Sequence, residues 1–253
     1  GYALRAGGSD GEAKTAAGPG PPAGMGRGTA GLVHEKGGRG AATMRTPAAG
    51  KELAALDDVL VTALDVTSEA SINAGIAAVI ARFGRIDVLV NNAGYGAYGV
   101  LEATTFESMR KQFDTNVIGL MATTKAVVPL FRKQKSGVIV NVSSMAGRVA
   151  LPFGNLYTAS KFAVEGFSEA LAYEMALIGV RVKVVEPGMI KTNFPNVMEF
   201  SNDSSIDVYQ SLVAKLWEVA GALMEVGAES EAAAEVIYAA ATDASDRMRY
   251  TVG

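Results

Sequence analysis

The stretch IDVLVNNAG, residues 86–94, is the most informative about the fold, because an apolar run ends abruptly in two asparagines, an alanine and a glycine. Strands that are apolar on both faces are typical of a parallel sheet with helices on each side. Similar runs alternate with longer stretches that place apolar residues three and four positions apart. This alternation predicts βαβ units, and right-handed crossovers then favour a doubly wound α/β sheet. The other predicted strands span 59–66, 136–144 and 180–188, and the predicted helices span 68–83, about 104–134 and 155–178.

The first fifth of the chain is rich in glycine, alanine and proline, a composition that by itself indicates a flexible linker. Three stretches favour structure instead. KTAAGPG (14–20) stands where a first strand belongs, RGTAGLVHEKGG (27–38) has a helical pattern ending in glycine, and GAATMR (40–45) suits a second strand. We therefore expect a poorly ordered tail at 1–13 and a single α/β domain over 14–253.

The composition argues against several classes of function. A net charge of −3 with scattered lysine and arginine provides no basic surface for nucleic acid. The chain has no cysteine, and its one histidine, His34, falls near the end of a predicted helix and is assigned no role, so we predict no metal site. No apolar run reaches the roughly 18 residues of a membrane span, and the first residues do not resemble a secretory signal. We expect a soluble, cytoplasmic protein.

Two motifs suit a flat, negatively charged ligand at the carboxyl ends of strands. GPPAGMG places Gly20, Gly24 and Gly26 before a predicted helix, where backbone amides can hold a pyrophosphate. In so glycine-rich a segment, a chance match is equally plausible. The asparagines and small residues at 91–94 would let a ligand lie against the backbone, although a tight turn capped by asparagine side chains has the same pattern.

A second group of residues suits proton transfer. VIVNVSSMAG ends a strand in Ser143 and Ser144, and Tyr157 and Lys161 follow at helical spacing of four. Such a pair shares one face of a helix, so the ammonium can approach the phenol and lower its pKa from the usual value of about 10. Ser144 would then hold a substrate oxygen near the phenol. The alternative for an isolated pair is an exposed amphipathic surface.

Together, the glycine turn, the NNAG motif, the strand-end serine, the Tyr-x-x-x-Lys pair and the EPG motif resemble the short-chain dehydrogenase/reductase family. The resemblance implies a Rossmann-like, mostly parallel sheet of about seven strands with helices on both faces. It also implies that Tyr157 is the catalytic acid/base, that Ser144 orients the substrate oxygen, and that Lys161 lowers the tyrosine pKa and holds the nicotinamide ribose. Asn116 matches the asparagine that supports a proton relay through water to that lysine.

The same resemblance assigns the cofactor contacts. They are Gly20, Gly24, Met25 and Gly26 for the pyrophosphate, Asp65 and Val66 for the adenine, Asn92, Ala93 and Gly94 for the ribose, and Pro187, Gly188, Ile190 and Thr192 for the nicotinamide. Arg45 stands at the end of the predicted second strand, the position at which an acidic residue would repel a 2'-phosphate. Because a guanidinium suits a phosphate, we predict NADP(H), with NAD(H) possible if Arg45 is merely exposed.

The expected pocket is apolar. Its candidate residues are Tyr95, Gly96, Leu151, Phe153 and the loop and helix at 189–215. We predict an oxidoreductase acting on a hydrophobic ketone, aldehyde or secondary alcohol, and the pattern resembles the hydroxysteroid and retinol dehydrogenase-like branch. The helices at 104–134 and 155–178 are apolar on two faces, which predicts a homodimer or homotetramer or, alternatively, burial under the C-terminal segment. The prolines in the first turn favour the competing function, a dinucleotide sensor or scaffold without turnover.

Overall fold

The computed structural model describes residues 15–19, 25–191 and 198–253. Within these ranges, seven strands form one entirely parallel sheet and helices cover both of its faces. The strands are β1 (Thr15–Pro19), β2 (Arg39–Met44), β3 (Val59–Ala63), β4 (Val88–Asn91), β5 (Ala97–Gly99), β6 (Gly137–Val142), β7 (Val180–Pro187), β8 (Ile190–Lys191), β9 (Glu199–Ser201), β10 (Ala228–Glu229) and β11 (Arg249–Val252).

The helices alternate with these strands, as the sequence predicts. They are α1 (Met25–Glu35), α2 (Lys51–Ala54), α3 (Glu69–Phe83), α4 (Phe106–Phe113), α5 (Gly119–Gln134), α6 (Asn155–Ala176), α7 (Asp207–Glu225) and α8 (Ser230–Thr242). The helix predicted over 104–134 is α4 and α5 joined by a π-helical turn at Asp114–Ile118. No helix in the ranges that the structure describes is long and apolar enough to cross a membrane.

The strand order is β11-β7-β6-β4-β1-β2-β3, which confirms the doubly wound, seven-stranded fold. The order reverses direction between β1 and β4, and in such sheets ligands bind outside the carboxyl ends of the strands at this reversal. The carboxyl ends of β4, β6 and β7 therefore bring three of the predicted motifs to one edge of the sheet.

The N-terminal segment is part of the sheet, so the linker interpretation is wrong for the described residues. Strand β1 pairs with β2 along its whole length and with β4 at Ala16 and Ala17. Pro19 is the last residue of β1, where a missing amide interrupts the ladder least. The predicted tail at 1–13 and the glycines at 20 and 24 lie outside the described residues.

One core lies on each side of the sheet. Val33 of α1 and Ile237 of α8 pack on one face, and Val79 of α3, Phe131 of α5 and Leu171 of α6 pack on the other. Most of these side chains are fully buried, so the helices that carry the site are firmly held.

Candidate active site

Ser144 begins the site, directly after β6. Its extended backbone leads into a short 3-10 turn, Met145–Gly147, and its hydroxyl accepts a hydrogen bond from the Ala146 amide at 3.1 Å. The same hydroxyl lies 3.4 Å from the carbonyl oxygen of Pro187, at the end of β7. Gly147 is required in this turn, because a Cβ there would lie 2.6 Å from the Ser143 hydroxyl. Ser144 is therefore fixed by both neighbouring strands.

Tyr157 and Lys161 lie on the first turns of α6, where the chain passes over the Ser144 turn. Both side chains are buried, and the Tyr157 hydroxyl is hydrogen-bonded to Ser144. The Lys161 ammonium donates to the carbonyl oxygen of Val142 at 2.9 Å and lies 5.7 Å from the centre of the Tyr157 ring. The structure thus brings together the serine, tyrosine and lysine that the sequence singles out.

The pKa values differ from the expected pattern. Burial raises the pKa of Tyr157 to about 12, and the hydrogen bond from Ser144 only partly offsets this. Burial lowers the pKa of Lys161 to about 8, against the charge of Glu165. Within the polypeptide, desolvation therefore outweighs the lowering of the tyrosine pKa that we expected from Lys161. Neutral Tyr157, the proton-donating form, is favoured at neutral pH.

Asn116 lies in the π-helical turn and is almost fully buried. Its side-chain oxygen accepts from the Tyr95 amide at 3.1 Å, while its side-chain nitrogen donates to the Tyr95 carbonyl at 2.9 Å and to the Ser160 hydroxyl at 3.2 Å. Gln112, one turn earlier, similarly accepts from the Ala97 amide at 2.5 Å. These amides hold the loop after β4 in place, a contribution of Asn116 that sequence reasoning missed.

The two asparagines after β4 have different surroundings. Asn91 donates to Thr124 and to Asn141, each at 2.9 Å, and Asn141 in turn donates to Ser168 of α6 at 2.8 Å. This buried amide chain ties the central strands to α6. The side-chain oxygen of Asn92, by contrast, is shielded from solvent and has no hydrogen-bond partner among the described residues. Such an acceptor fits the hydroxyl of a ribose.

Asp65 and Val66, the residues predicted to contact the adenine, follow β3 closely. Asp65 accepts hydrogen bonds from the Thr67 amide at 2.9 Å and from its hydroxyl at 2.7 Å, and these bonds hold the pKa of Asp65 below its usual value. Arg45 is exposed directly after β2, close enough for its charge to act on Asp65. Val66 is buried against Gly119, where a Cβ would lie 2.7 Å from the Val66 side chain.

Some of the other residues predicted to contact the cofactor are described by the structure, and some are not. Met25 and Gly26 begin α1, and Ala93 and Gly94 follow Asn92 in the loop after β4. Among the residues predicted to flank the nicotinamide, Gly188 donates its amide hydrogen to the Val252 carbonyl at 2.7 Å, and Ile190 is buried on β8. Gly20, Gly24 and Thr192 lie outside the described residues, as does part of the predicted substrate segment 189–215.

An aromatic wall, defined as Tyr98, Phe153, Phe200 and Trp217, lies beside Tyr157. The Tyr98 ring stacks on the Tyr157 ring with centres 5.3 Å apart and planes at 29°. The centre of the Phe200 ring lies 6.5 Å from that of Phe153 and 4.8 Å from that of Trp217. Strand β5, which carries Tyr98, pairs with β9, which carries Phe200. Sequence reasoning missed Tyr98; its one signal was a second tyrosine three residues after Tyr95.

Comparison with known proteins agrees with this geometry. The family model described as short chain dehydrogenase matches residues 15–201. An uncharacterized oxidoreductase of Schizosaccharomyces pombe is 45% identical over 210 residues, which are 83% of this chain and 88% of the relative.

Solved structures show the same fold. A short-chain dehydrogenase from Streptomyces avermitilis superposes with a TM-score of 0.85 at 33% identity, over 96% of this chain and 89% of that one. A structure described as ElxO with NADP bound has a TM-score of 0.76 at 26% identity, over 92% and 95% of the two chains. The fold also occurs with NADH, in a 3-ketoacyl-(acyl-carrier-protein) reductase from Brucella melitensis at 24% identity and a TM-score of 0.78, over 93% and 94%.

Proposed function

The chain belongs to the short-chain dehydrogenase family and is an oxidoreductase that uses a nicotinamide dinucleotide, and from that premise we propose that it interconverts hydrophobic carbonyl compounds and alcohols with NADP(H). The observation that carries the proposal is the convergence of Ser144, Tyr157 and Lys161 beside the aromatic wall. The shielded oxygen of Asn92 and the glycines around it fit the dinucleotide.

In the reducing direction, the hydroxyls of Ser144 and Tyr157 are placed to donate to one carbonyl oxygen, since they already contact each other. The bound cofactor supplies the hydride for the carbonyl carbon. Tyr157 then gives its proton to the developing alkoxide, and its high pKa keeps that proton in place until it is needed. The Lys161 charge stabilises the resulting phenolate. In the reverse direction, that phenolate takes the proton of the alcohol.

The aromatic wall supports an apolar substrate. Its rings offer a surface without formal charge, and the nearby Lys111 and Glu199 form an ion pair with each other. A pocket of this composition favours flat or long hydrophobic groups over carboxylates and phosphates. A panel of hydrophobic ketones and aldehydes with NADPH tests the proposal: we expect cofactor oxidation with some members. Tight cofactor binding without any oxidation would instead support the sensor without turnover.

Arg45 underlies the proposed preference for NADP(H). Because a guanidinium makes charge-assisted hydrogen bonds to phosphate, Arg45→Ala is expected to raise the NADPH Kd by about 10- to 100-fold and leave the NADH Kd within about twofold. Arg39→Ala, at the exposed opposite end of β2, is the matched control and changes neither value. Calorimetry measures the two dissociation constants for the unaltered protein and for each variant. Tighter binding of NADH than NADPH by the unaltered protein would contradict the assignment.

We also infer a homo-oligomer through α4, α5 and α6. Large apolar side chains are exposed on these helices, among them Phe106 at 80% and Tyr173 at 81%, and Leu177, directly after α6, is 87% exposed. A dimer or tetramer would remove this surface from water. Light scattering should give a dimer or tetramer that Leu177→Glu weakens, whereas Val208→Glu on α7, also exposed, leaves it intact. A monomer at micromolar concentration would refute the inference.

A further inference from the structure

Behind the proposed site, two buried carboxylates share one arginine. Glu165 of α6 and Glu186 of β7 are 6% and 8% exposed. The Arg249 Nε of β11 lies 3.1 Å from an oxygen of Glu165 and 3.2 Å from an oxygen of Glu186. We call Glu165, Glu186 and Arg249 the carboxylate cluster. Glu169, a more exposed partner of the same arginine, lies outside it.

The cluster lies against the two elements that carry Ser144, Tyr157 and Lys161. Glu165 lies one helical turn after Lys161, and its charge acts on that ammonium. A Cβ on Gly147 would lie 3.1 Å from Glu165 Cγ, so the Glu165 side chain packs beneath the Ser144 turn. Glu186 immediately precedes Pro187, whose carbonyl lies against the Ser144 hydroxyl.

Stability alone does not account for this arrangement. Burial and the charge of Glu165 raise the pKa of Glu186, because two carboxylates face each other behind one arginine. Oε1 of Glu165 has no hydrogen-bond donor among the described residues, and Oε1 of Glu186 has only its ion pairs with Arg249 and, at 3.7 Å, with Arg148. Buried ionic groups of this kind are commonly no more stabilising than apolar side chains of similar volume. The contact of Glu165 with the Ser144 turn, and its place on the helix that carries Lys161, point instead to a contribution to the chemistry.

We propose that Glu165 is a positioning residue: it maintains the positive charge of Lys161 and, through Arg249 and Glu186, fixes α6 against the Ser144 turn and the end of β7. The inference rests on the proposed function, because the arrangement it maintains is that of Ser144, Tyr157 and Lys161. The charged or titratable groups around Lys161 and the carboxylate cluster come from four elements: Tyr157, Glu165 and Glu169 from α6, Glu186 from β7, Arg249 from β11 and Arg148 from the Ser144 turn.

Glu165→Gln tests the proposal with little change in shape. Loss of the negative charge should lower the pKa of Lys161 further, so the alkaline limb of the pH–kcat profile moves to lower pH by roughly 1 unit. At pH 8, a shift of that size should lower kcat by about fivefold, with a smaller change in KM. Glu169→Gln removes the exposed partner of Arg249 and is the matched control, expected to alter neither the limb nor kcat.

Glu165→Asp keeps the charge but draws it back by one methylene, so the limb should move in the same direction by less. This variant decides the matter if Glu165→Gln does not fold. The proposal would be overturned if the alkaline limb of Glu165→Gln stayed in place or, should that variant not fold, if the limb of Glu165→Asp stayed in place. Equal effects of Glu165→Gln and Glu169→Gln would also overturn it.

A second measurement separates this inference from the proposed function. The Lys161 ε-carbon, labelled with ¹³C and assigned with Lys161→Met, reports the lysine titration without any turnover. If the unaltered protein reduces no carbonyl but the Lys161 titration falls in Glu165→Gln, the proposed function fails and the coupling of Glu165 to Lys161 is supported. If carbonyls are reduced and the titration is unmoved, the inference fails alone.

Discussion

Replacing Tyr157 with phenylalanine is expected to lower kcat by about 10³-fold while leaving the cofactor Kd within about twofold. In the proposed mechanism the phenol oxygen, which is hydrogen-bonded to Ser144, exchanges a proton with the substrate oxygen, whereas the ring supplies the packing. Phenylalanine keeps the ring and its stacking on Tyr98. Steady-state kinetics with any carbonyl that the panel identifies measures the effect.

Tyr173→Phe provides the matched control, because it makes the same chemical change on the exposed face of the same helix. We expect its kcat to equal that of the unaltered protein. Equal kcat values for Tyr157→Phe and Tyr173→Phe would remove Tyr157 from the mechanism. A thermal unfolding midpoint close to that of the unaltered protein confirms that Tyr157→Phe is folded.

Gly99→Ala is expected to open the wall beside the active site. Gly99 has φ of +131°, and a Cβ there would lie 2.1 Å from the backbone oxygen of Ser201 in β9. Alanine therefore forces β5 and β9 apart, at a cost of about 2–3 kcal/mol in the free energy of unfolding. Because β9 carries Phe200, loss of its contact should raise KM for hydrophobic substrates at least about tenfold.

The control for this substitution is Gly166→Ala, at a helical position with open space around the added Cβ. Alanine in a helix favours folding, so this variant should be as stable as the unaltered protein or slightly more stable, with unchanged KM. Denaturant unfolding and kinetics on both variants measure the contrast. An unchanged KM in Gly99→Ala would show that the strand pair does not shape the substrate site.

The sequence was sufficient to predict those parts of the site that depend on where strands end and which residues share a helical face. Asn92 and Ser144 follow strand ends, and Tyr157 and Lys161 share one helical face, so their placement at one edge of the sheet follows from parallel topology. Strand β1 was also predicted, although its small residues carry little strand signal, because a strand was needed before α1. The π turn at Asp114–Ile118 was not predicted, since nothing in its residue pattern departs from an α-helix.

Contacts between distant residues account for what could not be predicted. Tyr98, on the strand pair β5–β9, stacks on Tyr157 of α6, a contact between residues far apart in the chain. Glu165 and Arg249 meet across 84 positions of the chain. The direction of the Tyr157 pKa shift depends on burial, which outweighs the lysine charge that the sequence places nearby. Neither these long-range contacts nor the extent of burial can be predicted from the spacing of residues along the chain.

The most direct test of hydride transfer at this site uses NADPH in which both hydrogens of the reactive nicotinamide carbon are replaced by deuterium, so that either face delivers the label. With a substrate from the hydrophobic panel, mass spectrometry of the product should find one deuterium on the carbon that bears the new hydroxyl, and Tyr157→Phe should yield almost none of that product. Product formed without the deuterium, or formed equally well by Tyr157→Phe, would contradict a Tyr157-centred reductase.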